Sequence, residues 1–302
     1  MFKIDVGEEG KYLFQILAET LGRANLKHDV TIPWYIMTSR ENNEKTVEFL
    51  QKHDFFGYPK DYVGIFEQEE LPLLDMQGKL IMDENMLIKE ASNGNGGVFS
   101  SMAKKGVLED MYAKGVEWVF VGGIDNVLLK LVDLPLVGLC IKKGTEVAAK
   151  TVLKARPEER VGVFCKRDDK VRIVEYTELP PAAASKVNEY GELVFGETNI
   201  IAHIFSLDAI TKASSKNMPY HVALKKSNYI DKNEVLVVPE EPNCYKFEKF
   251  IFDAFALFDE ISLYRGIREK DYAPIKNASG LDSPQTAKEL YEKYWREKNN
   301  AF

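Results

Sequence analysis

Apolar positions recur every three to four residues along 11–25 (KYLFQILAETLGRAN), where Leu13, Ile16, Leu17 and Leu21 share one face, so the chain opens with an amphipathic helix. The apolar run at 30–39 (VTIPWYIMTS) predicts a buried strand. After the polar RENNE stretch, Val47, Phe49 and Leu50 mark a second helix, and 62–68 (YVGIFEQ) reads as another strand. Residues 92–115 begin with glycines and continue as a helix with Met102, Val107, Leu108 and Met111 on one side. A further strand through Trp118, Val119, Phe120 and Val121 then meets two glycines and Asp125. Helices alternating with strands predict an α/β fold on a Rossmann-like, mixed but mainly parallel sheet covered on both faces. In such sheets ligands sit beyond the carboxyl ends of the strands, which places Asp125 at the ligand edge.

From about residue 146 the pattern changes. EVAAKTVLKA, RVGVFCKR and KVRIVEY are short strand-like runs separated by RPEE and DD, predicting an added antiparallel sheet layer. SLDAITKASS and NCYKFEKFIFDAFALF read as helices, the second introduced by Pro242 and Asn243, and EISLYRGIRE reads as a strand. Ser283 as N-cap and Pro284 at the first helical position start a charged helix within 281–302.

The composition is that of an ordinary globular chain: 302 residues, 45% hydrophobic and 29% charged, enough to bury a sizeable core. A net charge of -7 with no long basic block argues against general binding to nucleic acid or membrane surfaces and points to small-molecule partners. Three cysteines without a CxxC pair support neither a disulfide framework nor a zinc ribbon, and four histidines without HExxH give no metalloprotease signature. No apolar run reaches spanning length and no signal-peptide pattern opens the chain, so the expected location is cytoplasmic.

Two stretches can carry chemistry. Gly94-Asn95-Gly96-Gly97 is either a tight turn or a loop whose backbone approaches a ligand at a helix start, and it matches neither GxGxxG nor the P-loop spacing. Asp125 is either a turn-capping carboxylate or an oxygen ligand for Mg²⁺ carrying a nucleotide's phosphates. Asp253, one acid inside an apolar run, is the candidate partner carboxylate, because buried and unpaired it would be costly.

The blocks IPWYIMTSRENNEKTVEFLQKHDFFGY, FEQEELPLLDMQGKL, GNGGVFSSM, DNVLLKLVDLPLVGLCIKKG, VGVFC, IVEYTEL, TNIIAHIFSL, HVALKK, FEKFIFDAF and APIKNASG are collinear with those of eukaryotic-type UDP-N-acetylhexosamine pyrophosphorylases. The chain resembles this group of uridylyltransferases, which includes UDP-sugar pyrophosphorylases, over roughly residues 1–295. The resemblance implies a nucleotide-diphospho-sugar transferase fold and the attack of a sugar 1-phosphate oxygen on the α-phosphorus of UTP, with Mg²⁺ as cofactor and no covalent intermediate. UTP, a sugar 1-phosphate and a UDP-sugar would be the partners. N-acetylglucosamine 1-phosphate is the expected acceptor, with glucose 1-phosphate or a UDP-sugar-binding chain without turnover as alternatives. A glycosyltransferase of similar layout would want DxD, of which IDN supplies only the first acid.

Residue by residue, the resemblance assigns Gln68 to uracil, Gly94 and Asn95 to the uracil- and sugar-facing loop, and Asp125 to the metal. Gly162, Glu175 and Asn199 match sugar-contacting positions, and Phe250 and Phe252 an aromatic wall beside the acetamido group. Lys276 matches a lysine facing phosphate, and Asp253 is carried over as second metal ligand. His203 lies in a matching block and is either structural or functional. The family pattern places GGxGTRLG and PKG ahead of the stretch that reads MFKIDVG here, and neither occurs in these residues. The expectation is therefore an incomplete catalytic domain over 1–295, with a nucleotide-binding part (1–145), a sugar-binding part (146–280) and a C-terminal helix (281–302). Strands beside the absent loop's strand are expected to show unpaired edges.

Overall fold

The computed structural model describes residues 2–7 and 9–299. Its principal helices are α1 (Leu13–His28), α2 (Asn43–Lys52), α3 (Val98–Lys104), α4 (Val107–Ala113), α5 (Leu134–Lys143), α6 (Leu207–Ser214) and α7 (Pro284–Asn299). The strands that matter for the site are β1 (Trp34–Thr38), β2 (Val63–Glu67), β3 (Trp118–Gly122), β4 (Val147–Leu153), β5 (Val163–Arg167), β6 (Lys170–Val174), β7 (Glu197–Ser206), β8 (His221–Lys225), β9 (Cys244–Glu248) and β10 (Ser262–Arg265).

Most elements lie where periodicity puts them, because each has one face to bury. Phe14, Leu17 and Leu21 of α1 pack with Trp34 and Ile36 of β1. The cap of α7 is reciprocal: Thr286 N–H donates to Ser283 Oγ (3.4 Å) and Ser283 N–H to Thr286 Oγ1 (2.9 Å). The helix expected through 98–113 is broken into α3 and α4 at Gly106, whose φ of +74° no continuous helix can contain. Met102, Val107, Leu108 and Met111 still reach one core, so the apolar face survives the break.

The sheet differs from the expected mainly parallel one. The six-stranded sheet runs β6-β5-β7-β4-β10, with β3 also on β7, and only β4 and β10 pair in parallel. The reason is β7, ten residues (ETNIIAHIFS) not foreseen as a strand, which enters antiparallel to β3, β4 and β5. β5 and β6 form the expected antiparallel hairpin, but as an extension of this sheet rather than an added layer. Residues 1–145 and 146–280 thus share one sheet.

NCYKFEKFIFDAFALF is not one continuous α-helix. Its first half is β9, paired antiparallel with β8, and its second a 3₁₀ segment, Ile251–Leu257. Closely spaced aromatic residues satisfy both periods locally, and the hydrogen bonds offered by β8 decide for strand.

Both faces of the sheet are covered. Val147, Ala149 and Phe205 pack on one side with α3, α4 and α6, and Ala148 and Ile204 on the other with Leu136 and Cys140 of α5. Among the described residues β1 pairs only with β2, in parallel, and β3 only with β7, so each leaves one edge unpaired.

Candidate functional site

β3 and β5 lie on the same edge of β7 and run in the same direction, but they do not meet. β3 ends at Gly122 opposite Ala202, and β5 begins at Val163 opposite Thr198. Across the opposite edge, Asn199 faces Thr151 and His203 faces Ala149, so β7 carries two extra residues in that interval. The bulge holds Ile201 at φ +47°, a conformation that a β-branched residue adopts only under constraint from its surroundings. Bulges re-aim side chains and end pairing beside functional sites. This one donates Asn199 N–H to Gly162 O (2.9 Å) and accepts Gly123 N–H at Ile201 O (3.3 Å). It therefore ties the approach to Asp125 to the Gly162 position.

On the Gly162 side, a Cβ there would come 2.8 Å from Glu175 Oε1 and 2.9 Å from Ile173 Cγ2, so the glycine leaves the room in which this carboxylate lies against the backbone. Burial pushes the Glu175 carboxyl above its ordinary pKa, and the charge of Glu178 adds to the effect, while His221 and Lys276 oppose it. Glu175 therefore sits within electrostatic reach of both the aromatic wall and Lys276.

On the Asp125 side, Asn126 clamps two segments together. Its Oδ1 accepts from Ala273 N–H (2.9 Å) and Leu128 N–H (3.2 Å), and its Nδ2 donates to Asp271 O (2.8 Å). Ile275 N–H donates to Asp125 O (3.0 Å), which brings Lys276 alongside. Lys276 Nζ donates to Tyr272 Oη (2.8 Å), and burial holds that phenol protonated, reinforced by the charge of Asp125. Asp125 itself is half-buried and makes no ion pair among the described residues. Burial raises its pKa and Lys276 offsets part of the rise.

The aromatic wall is formed by Phe250 and Phe252, stacked at 5.0 Å between ring centroids, with His221 4.6 Å from Phe250. Asp253 Oδ2 meets His221 Nε2 (2.9 Å) and accepts from Phe250 N–H (3.4 Å). The sequence reading makes Asp253 a second metal ligand; the structure engages its carboxylate with the wall instead. Among the described residues no group of three or more His, Cys, Asp or Glu gathers that could hold a metal ion.

The glycine-rich loop docks against the same wall. Gly94 has φ +84°, and a Cβ there would lie 2.5 Å from Lys249 O. Gly96 N–H donates to Lys249 O (2.9 Å), and Asn95 Oδ1 accepts from Ile251 N–H (2.9 Å). Close approach to the 249–251 backbone, beyond a tight turn alone, explains the glycines. Gln68 follows β2, anchored by its N–H to Thr38 O (2.8 Å), and its Oε1 is buried without a partner among the described residues. A buried acceptor left open in this way suits a ligand donor.

Sequence reasoning singled out neither His221, Tyr272 nor Asn126. HVALKK and the Asn after Asp125 lie in the matching blocks, but nothing local tells that His221 meets Asp253 across 32 positions or Asn126 meets Asp271 across 145. Tyr272 lies only four positions from Lys276, yet no pattern marks that pair.

His203 is wholly buried, and that burial lowers its pKa to about 3. The unfolded chain takes up a proton below about pH 6.5 that the folded chain refuses, so stability falls with pH from about 6.5 toward 3. Between pH 7 and 4.5 the wild type should lose about 2–3 kcal/mol more than His203→Gln in urea unfolding. Equal losses would show that His203 titrates freely in the folded chain.

The sequence profile of the family described as UTP–glucose-1-phosphate uridylyltransferase matches residues 3–291. The chain is 38% identical over 289 residues to UDP-N-acetylhexosamine pyrophosphorylase-like protein 1 of Xenopus tropicalis, covering 92% of this chain and 57% of that protein. It is 37% identical over 300 residues to UDP-N-acetylglucosamine diphosphorylase 2 of Arabidopsis thaliana, covering 93% and 58%. The chain thus spans less than two thirds of the length of these relatives. The structure superimposes on the uridine diphosphate N-acetylglucosamine pyrophosphorylase of Trypanosoma brucei, solved with an inhibitor, at a TM-score of 0.82 and 27% identity, covering 96% of this chain and 60% of that one.

Proposed function

The chain belongs to the UTP–glucose-1-phosphate uridylyltransferase family, and from that premise we propose that it serves uridylyl transfer between UTP and N-acetylglucosamine 1-phosphate. A phosphate oxygen of the sugar 1-phosphate bonds to the α-phosphorus of UTP, and the bond from that phosphorus to the bridging oxygen breaks. UDP-N-acetylglucosamine and pyrophosphate are the products. The observation that carries this reading is the gap between β3 and β5, where the bulge links the approach to Asp125 with Gly162, Glu175 and Asn199.

Catalysis in this reading is positioning and charge stabilisation. Gln68 and the Gly94–Asn95 loop hold the uracil end, Gln68 through the acceptor it leaves open. Glu175 accepts from sugar hydroxyls, and the Phe250–Phe252 stack gives an apolar surface for the acetamido methyl. Lys276 neutralises phosphate charge beside Asp125. One carboxylate shared with substrate phosphates suits Mg²⁺, which is commonly held that way rather than in an all-protein cage, so Asp125 fits as its protein ligand. Bound there, Mg²⁺ would supply charge neutralisation at the phosphate oxygens. Asp253, already engaged by His221, fits better as a support of the wall. Of the Rossmann-like description we keep one feature, the carboxyl end of β3 leading to Asp125 on the phosphate side; the partner of β3 among the described residues, β7, runs antiparallel to it.

The test is pyrophosphate release by the folded chain with UTP and Mg²⁺, given N-acetylglucosamine 1-phosphate or glucose 1-phosphate, beside calorimetric titration with UDP-N-acetylglucosamine. Release with the acetamido sugar upholds the proposal, and release with glucose 1-phosphate alone reassigns the acceptor. Binding without release leaves a UDP-sugar-binding chain, and neither binding nor release sinks the reading.

A further inference from the structure

Resting on the reading of Asn199 as a sugar-facing residue, we infer that His203 is a positioning residue that fixes the Asn199 amide so that it presents only a donor to the bound sugar. The orientation follows from the bulge. Ile201 N–H donates to the Asn199 side chain (3.1 Å), so the atom it meets must be Oδ1. The same oxygen lies 2.9 Å from His203 Nε2, and an oxygen without a proton requires Nε2 to carry the hydrogen. His203 is therefore the Nε2–H tautomer. Its Nδ1 is buried without a partner among the described residues, consistent with a bare nitrogen enclosed by apolar neighbours such as Phe205 and Phe255.

Both donors converge on Oδ1, which leaves Nδ2 of Asn199 without a hydrogen bond among the described residues, on a residue whose backbone N–H holds it beside Gly162. A side chain that offers only N–H groups selects an acceptor on the ligand: the carbonyl oxygen of an acetamido group, or a hydroxyl oxygen turned to accept. Without His203 the amide keeps one anchor, Ile201 N–H, and gains freedom to swing. The role is specificity for the sugar rather than for the nucleotide, because the uracil-facing candidates Gln68, Gly94 and Asn95 lie on other elements.

The experiment combines spectroscopy and calorimetry on the full chain. Long-range ¹H–¹⁵N spectra of histidine-labelled protein, assigned by the signal lost in His203→Gln, should show His203 as the Nε2–H tautomer without any ligand. His203→Leu should weaken UDP-N-acetylglucosamine about tenfold, the size of one hydrogen bond's loss, with UDP binding unchanged. His203→Gln, which can keep a donor near the Nε2 position, should stay within about threefold. On an Asn199→Ala background His203→Leu should add nothing, because the group it orients is gone. An Nδ1–H tautomer, equal loss of UDP and UDP-N-acetylglucosamine, or additive losses would overturn the inference. If the wild type binds neither ligand, the proposed function fails, and the tautomer alone then upholds or overturns the His203–Asn199 contact.

Discussion

Replacing Asp125 with asparagine is expected to lower the proposed uridylyl transfer by about 10²–10³-fold, roughly 3–4 kcal/mol of lost transition-state stabilisation. The fold should remain as stable as before or become more so. Both effects share one cause: the carboxylate sits where burial disfavours its charge, with Lys276 nearby and no ion pair among the described residues. Its folded pKa is raised, so the ionised form costs stability as pH rises through the unfolded carboxylate range near 4 and up to the folded value. Asparagine keeps the shape and removes that cost above this window. Stability given up at such a position points to a carboxylate kept for binding charge. The check is kcat/KM in both reaction directions, paired with the urea midpoint at pH 7. Full activity, or activity lost together with stability, would remove Asp125 from its proposed role.

The largest effect on stability is expected at Lys150. Its side chain is 6% exposed and lies between Asp133 and Asp271, 4% and 6% exposed, with a 3.0 Å contact to Asp271. Burial pulls the ammonium pKa down, and the two aspartates more than offset it, so the net shift is upward. Lys130 completes the cluster, 2.7 Å from Asp271. Lys150→Met strands Asp133 without a cation and leaves Asp271 with Lys130 alone, so destabilisation of about 3–5 kcal/mol is expected. A fall of roughly 10 °C in melting temperature should accompany it. Asp271 has a lowered pKa: burial raises it, but Lys130 and Lys150 together outweigh burial. Its contribution is thus present above the unfolded carboxylate pKa and disappears as pH falls through the folded one. A Lys150→Met chain that melts within a degree or two of wild type would show that the cluster is hydrated rather than buried.

The same cluster explains how a structural network reaches the candidate site. Asp271 Oδ2 accepts from Ile267 N–H (2.9 Å), and its backbone oxygen accepts from Asn126, next to Asp125. Loosening Lys150 therefore loosens the Asp271–Lys276 segment against the Asp125 loop, and lower turnover should accompany lower stability.

Patterns of three to four residues are enough to place α1 and α2, SLDAITKASS reads as α6, the Ser283–Pro284 start signal places α7, and apolar runs bounded by turn residues are enough for β1 to β6 and β10. Those signals are local: each element must bury one face, and the spacing of apolar residues says which. Collinear blocks carried the family and the candidate residues Gln68, Gly94, Asn95, Asp125, Gly162, Glu175, Asn199, Phe250, Phe252 and Lys276. β7 was not legible as a strand, nor was its direction or its two-residue bulge, nor the strand in NCYKFEKF. Each depends on hydrogen bonds offered by β3, β4, β5 or β8, and backbone donors and acceptors look the same in every sequence until a partner strand arrives. Pairing Asp253 with His221 rather than with Asp125 has the same origin: a carboxylate's charge is written in the chain, but its partner is chosen by which side chains share its enclosure, and only folding brings those together.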